Sequence, residues 1–396
     1  MSNILIIGVD GGATKVSAWE VVFDDKKRVF SMGKNHAEKK YSEITGFVAN
    51  FQPVNIQQQL KERDENNINP NSEEKQQESV YVQACADVIH QVAAASEKSR
   101  ILVGIGMPGL KTDDKRGIAV VANGPRMINY SDLLERLLRD SNLEMIAPVH
   151  HLGSDADYCG IGENYSDQGI FKDCENAYYL GGGTGVADAL KLKGQLLPFD
   201  ATKDWIAKTW EMKSSNGKSL ERFCSAGGIQ SVYSELSGVE VSELNKRQIY
   251  PLQIAALSLD AEDAAVKTMN QLVSNLGDLF ISRITTLYSG WNNEFEFMNP
   301  NRPALSSTHE YKGMVFEKII LGQRLGDLYI SEQGVKSLQE PLIAKIKSWI
   351  SETNILDMQA KEHYNKIDSI IVTSKLREAP ALGAGIDAFF SWQDFQ

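Results

Sequence analysis

The chain is poor in cysteine, in long apolar runs and in positive charge, and each shortage excludes a class of protein. Its four cysteines are scattered, with no C-x-x-C pair, so a disulfide framework or zinc site is not expected and a reducing cytoplasm is the predicted location. No apolar run approaches the roughly 18–20 residues of a membrane helix, and the first ten residues lack a signal peptide's basic segment. The net charge of −11 disfavours nucleic acid and anionic membranes as partners.

The remaining composition is that of a globular α/β protein. At roughly 100–200 residues per domain, a chain of 396 residues predicts two or three domains. Short apolar runs at 4–9 and 101–105 are typical of strands buried on both faces. Residues 80–95 have the apolar spacing of a helix, and 376–392 are predicted to form a closing helix. The stretch 56–79 is almost wholly polar, so we expect a solvated loop or an exposed helix there.

Two glycine-rich turns join strand to strand. Residues 10–15 (D-G-G-A-T-K) link the first strand to strand-like residues 16–23, and residues 181–185 (G-G-G-T-G) lie between similar runs. A P-loop or dinucleotide fingerprint would open a helix instead, so neither is predicted.

One such unit in each half predicts a duplicated domain with a cleft between the copies. We place one domain at 1–125 and a second at 126–375, with the closing helix at about 376–396 packing back on the first.

Paired glycine turns suit the binding of a polyphosphate. Glycine lets backbone N–H groups approach phosphate oxygens, and Asp10 at the end of the first strand could hold Mg²⁺ through water. Either turn alone could equally be an ordinary tight turn. Their pairing favours phosphate binding.

A candidate general base lies in the stretch 148–157, where a strand is predicted to end and a helix to begin. Asp155 could accept the proton of a substrate hydroxyl, the proton transfer that phosphoryl transfer requires. Alternatively, Ser154 or Asp155 is only the helix N-cap.

Several segments resemble the ROK family of sugar kinases and sugar-responsive repressors, within the actin-like ATPase superfamily. Residues 10–15 resemble its D-G-G-x-T-K motif, 104–109 its G-I-G-x-P-G segment, and 154–157 its N-D-A-N stretch. Residues 183–186 resemble its second phosphate hairpin, and 220–225 its L-E-x-x-x-S segment. The similar segments follow the family order from residue 4 to residue 390.

The resemblance implies an α/β fold of two ribonuclease-H-like (actin-like ATPase) domains with a nucleotide and substrate cleft between them. It implies an ATP-dependent kinase that transfers the γ-phosphate of Mg-ATP to a hydroxyl of a hexose or modified hexose, with Asp155 as the base. It also implies a small-molecule sugar partner and a homodimer.

The resemblance also assigns binding residues. Those implied for the nucleotide phosphates, Mg²⁺ (Asp10, through water) and adenosine are Asp10, Gly11, Gly12, Thr14, Lys15, Gly182, Gly183, Thr184, Gly185, Gly322, Gly383 and Ala384. Those implied for the sugar are Ser154, Asp155, Glu221, Asn123 and Gly109.

The chain departs from the family where the hexose is normally held. The E-x-G-H motif should fall near 207–212, but its glutamate and histidine are missing, and Glu211 stands at the histidine's position. The cysteine-rich zinc loop is replaced by residues 213–218, so no zinc site is expected. Asp188, in the second hairpin, is expected to bring negative charge near the phosphates.

Two other functions remain as alternatives. One is a non-catalytic or degenerate ROK-type sugar- or nucleotide-binding protein without a DNA-binding domain, since the first phosphate strand starts at residue 4 and leaves no room for an N-terminal helix-turn-helix. The other, an iron–sulfur activator ATPase, is disfavoured by the scattered cysteines.

Overall fold

The structure, a computed structural model, describes residues 3–394. These residues divide into two compact units. The first holds the described residues through Gln168 together with those from Glu378 onward, and the second holds Gly169–Arg377.

The first unit is built on a mixed sheet. Its strands are β1 (Leu5–Gly11), β2 (Lys15–Asp24), β3 (Val29–Lys40), β4 (Arg100–Gly106), β5 (Leu110–Lys111), β6 (Ile118–Val120), β7 (Glu144–Met145) and β8 (Leu152–Gly153). Its helices are α1 (Ile56–Asp64), α2 (Ser72–Ala95), α3 (Tyr130–Asp140), α4 (Asp155–Tyr165) and, from the end of the chain, α15 (Ala379–Asp394).

The main sheet has the order β3-β2-β1-β4-β7, and β8 also pairs with β4. The first three strands are antiparallel, whereas β4 runs parallel to β1. Helix α15 lies close against this sheet: a Cβ at Gly8 would lie 1.7 Å from the carbonyl oxygen of Ala381, and one at Gly104 would lie 1.9 Å from that of Ala384. Glycine at both positions permits this close approach.

The boundary expected after residue 125 falls inside the first unit. Helix α3 packs against α2, and α4 packs against α15, so both belong with the first sheet. The hydrophobic side chains Tyr130, Leu134 and Leu138 of α3 are buried in its core.

The prediction that residues 56–79 are solvated is partly wrong. They form α1 and the start of α2, and four of their polar side chains are buried: Gln59, Glu74, Gln77 and Glu78. Each of these side chains has a partner within the unit. Glu74 forms two 2.7 Å hydrogen bonds with Arg126, which is 1% exposed. The backbone N–H groups of Val121, Val48 and Asn129 donate to Gln59, Gln77 and Glu78 respectively.

The second unit is also built on a mixed sheet. Its strands are β9 (Ala177–Gly182), β10 (Val186–Leu192), β11 (Gln195–Leu197), β12 (Met212–Lys213), β13 (Glu296–Phe297), β14 (Lys318–Gly322) and β15 (Ile371–Thr373). Its helices are α5 (Glu221–Cys224), α6 (Ala226–Ser237), α7 (Val241–Lys246), α8 (Pro251–Leu259), α9 (Asp263–Ser289), α10 (Gln323–Ile330), α11 (Glu332–Gly334), α12 (Glu340–Glu352), α13 (Met358–Tyr364) and α14 (Ile367–Ile370).

The sheet of the second unit repeats the arrangement of the first. Its order is β11-β10-β9-β14-β15. Strands β11, β10 and β9 are antiparallel, whereas β14 and β15 run parallel to β9. The glycine turn at 183–185 joins β9 to β10 as the turn at 12–14 joins β1 to β2. The duplication predicted from these turns is therefore present in both sheets. Within residues 3–394, no helix has the length and apolar character needed to span a membrane.

Candidate active site

Asp10 lies at the carboxyl end of β1, in register with Gly106 of the parallel strand β4. Ligands of α/β folds bind at this edge of a sheet. The pKa of Asp10 is raised from 3.8 to about 7, most of all by burial and also by the nearby carboxylates of Asp155 and Glu378, while Lys15 lowers it. The structure thus brings Asp10 and Asp155 together within one unit, whereas the boundary expected after residue 125 placed them in different domains.

Two tyrosine hydroxyls bind backbone carbonyl groups of the turn after Asp10. The Gly12 N–H donates to the carbonyl oxygen of Lys15 at 2.9 Å, which closes the turn. The Tyr41 hydroxyl donates to the Gly12 carbonyl at 3.2 Å, and the Tyr81 hydroxyl donates to the Ala13 carbonyl at 2.8 Å. Their rings stack 3.6 Å apart. No local pattern points to these tyrosines, because Tyr41 follows β3 and Tyr81 lies in α2, 29 and 68 residues from the carbonyl groups that they bind.

The side chains of the turn itself face outward. Thr14 and Lys15 are exposed, and the Lys15 ammonium pairs with Glu38. A hydroxyl and a cation are therefore available beside Asp10, although the cation already has a carboxylate partner.

Asp155 is the first residue of α4 and is half-buried. Its carboxylate accepts a 3.0 Å hydrogen bond from the adjacent Ala156 N–H. The N-cap residue Ser154 makes no capping hydrogen bond through its side chain. The Asp155 carboxylate therefore satisfies one backbone N–H of the first turn of α4, and the Ser154 side chain supplies no capping bond.

Two predicted sugar residues, Gly109 and Asn123, flank the hairpin formed by β5 and β6. Gly109 has φ +99°, and a Cβ there would lie 2.6 Å from the Val120 carbonyl oxygen. Asn123, just past β6, is exposed. Gln59 orders this loop by bonding both the N–H of Val121, at 2.8 Å, and its carbonyl, at 3.1 Å.

In the second unit, hydrogen bonds within the turn and from helix α6 hold the turn at 183–185. The Gly183 N–H donates to the Gly185 carbonyl at 2.9 Å, and the Gly227 N–H of α6 donates to the Gly183 carbonyl at 3.1 Å. Gly182, the last residue of β9, has no room for a side chain, because a Cβ there would lie 2.5 Å from the Cβ of Leu325.

Glu221, a predicted sugar residue, lies beside this turn. Its carboxylate accepts from the Val186 N–H at 3.0 Å, and a Cβ at Gly185 would lie 2.5 Å from its Oε1. The structure thus places a predicted sugar ligand against a predicted phosphate turn of the same unit.

A polar cavity of about 760 Å³ opens next to Thr184 in the second unit. Its lining includes Thr184, Glu221, Gly227, Asn245, Tyr250 and Arg324. The cavity has the size of a small-molecule site.

Three residues predicted to border adenosine lie at closely packed positions, where neighbouring groups leave little space. Gly383 and Ala384 lie in the middle of α15; a Cβ at Gly383 would lie 1.9 Å from the carbonyl oxygen of Tyr158 in α4. Gly322 is the N-cap of α10, where a Cβ would lie 2.1 Å from the Tyr179 hydroxyl. Their contact with a nucleotide stays a prediction.

The expectation that Asp188 brings charge near phosphates is wrong. Asp188 is buried and ion-paired with the buried Arg283 at 3.1 Å. It also accepts hydrogen bonds from the Tyr178 hydroxyl at 2.5 Å and from the N–H and hydroxyl of Thr209 at 2.8 and 2.6 Å. Its negative charge is therefore neutralised by Arg283 within the second unit.

Glu211 is likewise engaged. Its carboxylate pairs with Arg302 at 3.0 Å and accepts from the Lys208 N–H at 2.8 Å. Among residues 3–394, no group of three or more histidine, cysteine, aspartate or glutamate side chains is arranged to hold a metal ion.

Comparison with known proteins extends this picture. No protein-family model matches the chain, and no curated protein does. Solved structures do match. A ROK family glucokinase from Streptomyces griseus in complex with glucose and AMPPNP has a TM-score of 0.56 at 12% identity, covering 98% of this chain and 99% of that chain. Glucokinase from Parabacteroides distasonis has a TM-score of 0.56 at 13% identity, covering 98% of each chain.

A third match belongs to the regulatory side of the same family. The ROK family transcriptional regulator homologous to the E. coli MLC protein has a TM-score of 0.53 at 13% identity, and the match covers 98% of this chain and 78% of the regulator. The repeated sheet order and these matches together show that the chain has the fold of the ROK family sugar kinases, built from two ribonuclease-H-like, actin-like ATPase units.

Proposed function

We propose that the protein is an ATP-dependent sugar kinase that transfers the γ-phosphate of Mg-ATP to a hydroxyl of a hexose or modified hexose. The observation that carries this proposal is the position of Asp155, a half-buried carboxylate at the N-terminus of α4 that lies close enough to Asp10 to raise the pKa of that residue. The matches to glucokinases of the same fold support it.

Asp155 would act as the general base. Phosphoryl transfer needs little covalent chemistry from the protein beyond orienting the nucleophile and removing its proton. In this mechanism the sugar hydroxyl donates its proton to the Asp155 carboxylate while its oxygen bonds to the γ-phosphorus. The bond between the γ-phosphorus and the β–γ bridging oxygen breaks, and ADP leaves with that oxygen. Gly109, after β4, and Asn123, after β6, would help to position the sugar.

The oxygen donors of the first unit fit Mg²⁺, which prefers carboxylate and water oxygens. Asp10 would hold it through water, since its buried carboxyl group lies near two further carboxylates whose mutual repulsion a divalent cation would relieve. When bound, Mg²⁺ supplies neutralisation of phosphate charge.

The second unit would hold the nucleotide. Backbone N–H groups of its glycine turn, with the Thr184 hydroxyl, are suited to phosphate oxygens. The adjoining cavity of about 760 Å³ is large enough for a nucleoside.

Sugar-dependent ADP formation tests the proposal. Purified protein would be given Mg-ATP and a panel of hexoses, N-acetylhexosamines and other polyols, with sugar omitted as the control. At least one sugar should accelerate ADP release well above the background. Binding of sugar or nucleotide without turnover would favour the alternative, a non-catalytic ROK-type binding protein, which the match to a regulator supports. Homodimer formation, a cytoplasmic location and the lack of a nucleic-acid or membrane partner stay predictions.

A further inference from the structure

Gln323, the first residue of α10, has a backbone conformation that side-chain-bearing residues rarely adopt. Its φ is 57°, in the left-handed region. Such a conformation is unfavourable for a residue with a Cβ, and it persists where the surrounding structure or a function requires it. A glycine would adopt it without strain.

The side chain of Gln323 lies over the glycine turn of the same unit. A Cβ added at Gly183 would lie 2.4 Å from the Gln323 Oε1, and one added at Gly181 would lie 3.2 Å from its Cδ. Residues two apart in a strand share a face, so these two glycines leave the space that the Gln323 carboxamide fills. A larger side chain at either position would expel it.

The register of the sheet explains why Gln323 reaches this turn. Strand β14 runs parallel to β9, with Gly322 paired to Gly181. Gln323 therefore leaves the sheet beside the end of β9. The next residue, Arg324, is exposed and lines the cavity beside Thr184.

We propose that Gln323 is a nucleotide-binding residue whose carboxamide supports the turn at 183–185 and donates a hydrogen bond to a phosphate oxygen of the nucleotide. A carboxamide can donate and accept at once without adding charge, so it can contact the turn and the phosphate together. The left-handed backbone directs the carboxamide there. This inference rests on the proposed function, because it requires a nucleotide in the second unit.

Three variants separate nucleotide binding from packing. Gln323→Gly removes the carboxamide and the strained φ. Gln323→Glu keeps the shape but replaces the donor group with a negatively charged acceptor. The matched control is Gln248→Gly, because Gln248 has the same φ of 57° but is exposed just after α7.

The readouts are the unfolding temperature and the affinity for Mg-ATP, measured by isothermal titration calorimetry. We expect neither glycine variant to unfold below the wild-type temperature, because each relieves an unfavourable φ. Gln323→Gly should weaken Mg-ATP binding about tenfold, as loss of one hydrogen bond to a charged group predicts. Gln323→Glu should weaken it further through repulsion, and Gln248→Gly should leave it unchanged.

The outcomes distinguish this inference from the proposed function. If the wild-type protein binds Mg-ATP and Gln323→Glu binds it equally well, Gln323 is a packing residue and the inference is overturned while the function stands. If Gln323→Gly loses affinity only in proportion to a lower unfolding temperature, the inference also falls. If the wild-type protein binds no Mg-ATP, the proposed function is overturned and the inference with it.

Discussion

Asp10 and Asp155 belong to the same unit but have different surroundings. Both residues are half-buried, and desolvation raises the pKa of Asp10 at the carboxyl end of β1. Asp155 lies at the N-terminus of α4, where its carboxylate accepts a hydrogen bond from the Ala156 N–H. Their environments therefore fit a cation-binding role for Asp10 and a proton-accepting role for Asp155.

The raised pKa of Asp10 predicts a specific pH dependence of stability. Its pKa is about 7 in the folded protein against 3.8 as the ordinary value, so between these values the folded state binds more protons than the unfolded chain. The free energy of unfolding should therefore fall as pH rises through this range. Asp10→Asn removes this titration. In nucleotide-free and metal-free protein, its stability relative to wild type should grow by about 1–4 kcal/mol between about pH 5 and pH 8, measured by urea denaturation.

The exposed Asp25 supplies the control for this measurement. Asp25→Asn should differ from wild type by an amount that does not change with pH. A difference between Asp10→Asn and wild type that is equally constant would contradict the account of Asp10.

At the residue scale, the sequence identified Asp10 and Asp155 as candidates but did not show that they belong to one unit. It also did not show that Asp188 and Glu211 form ion pairs with arginines. Asp188 is 95 residues from its partner Arg283, and Glu211 is 91 residues from Arg302. A pairing over such a distance leaves no local pattern in the sequence. Both side chains could therefore be read as available for ligands until their partners were located.

At the scale of elements, side-chain hydrogen bonds join α1 and the start of α2 to the chain that follows β6. Arg126 bonds Glu74 with both Nε and Nη2 and also pairs with Glu62 of α1. Gln59 of α1 bonds the backbone of Val121. These bonds thus fix the position of Asn123 between its two anchors.

Breaking the buried pair should be costly. Arg126→Met leaves the Glu74 carboxylate, which is 0% exposed, without its partner, and such a change costs about 3–5 kcal/mol of unfolding free energy. Adding Glu74→Gln should recover part of the loss, because the uncompensated charge is removed. Chemical denaturation measures both. Arg63→Met, which breaks an exposed pair with Asp64, should cost no more than about 1 kcal/mol; equal losses for the two arginines would contradict the role of Arg126.

The segment around 207–212 predicts poor use of glucose. By the resemblance this segment would face the hexose, yet it lacks the family's glutamate and histidine, and Glu211 is bound to Arg302. An unmatched polar group costs about 1–3 kcal/mol, so two missing contacts predict a kcat/KM for glucose at least about 30-fold below that for the best sugar. A glucose value near 10⁵ M⁻¹s⁻¹, ordinary for an enzyme on its own substrate, would contradict this.

Elements were predictable where the signal is local. The buried strands β1, β4 and β9 and the glycine turns are set by neighbouring residues, and the predictions for them hold. The polar segment 56–79 was misjudged because its buried hydrophilic side chains bond groups that are distant in the sequence, such as Arg126, 52 residues from Glu74. The unit boundary was misplaced because α3 and α4 pack on elements that come from distant parts of the chain.

At the scale of the whole molecule, the two units repeat one sheet order, and the chain shares its fold with kinases and with a regulator at 12–13% identity. A fold shared by enzymes and non-enzymes does not decide between them. The decision therefore depends on the chemistry of Asp155 and Asp10.

Metal dependence follows from that chemistry. Turnover should require Mg²⁺, because the phosphates need a hard cation, and it should survive a zinc-selective chelator, because the family's cysteine-rich loop is replaced by residues 213–218. Activity assays with each chelator, followed by Mg²⁺ addition, measure this. One tightly bound zinc per chain, found by elemental analysis of protein purified without added metal, would contradict it.

The most direct test of the central claim is the rate at which wild type and Asp155→Asn form a phosphorylated sugar, measured by mass spectrometry on the best sugar of the panel. Losing a general base costs about 10²–10⁴-fold in rate. The Asp155→Asn variant should therefore be at least about 100-fold slower than wild type while keeping the wild-type unfolding temperature and affinity for Mg-ATP. Asp132→Asn, in the first turn of α3, is the matched control and should keep the wild-type rate. A wild-type protein that forms no phosphorylated sugar, or an Asp155→Asn variant that forms it at the wild-type rate, would contradict the account.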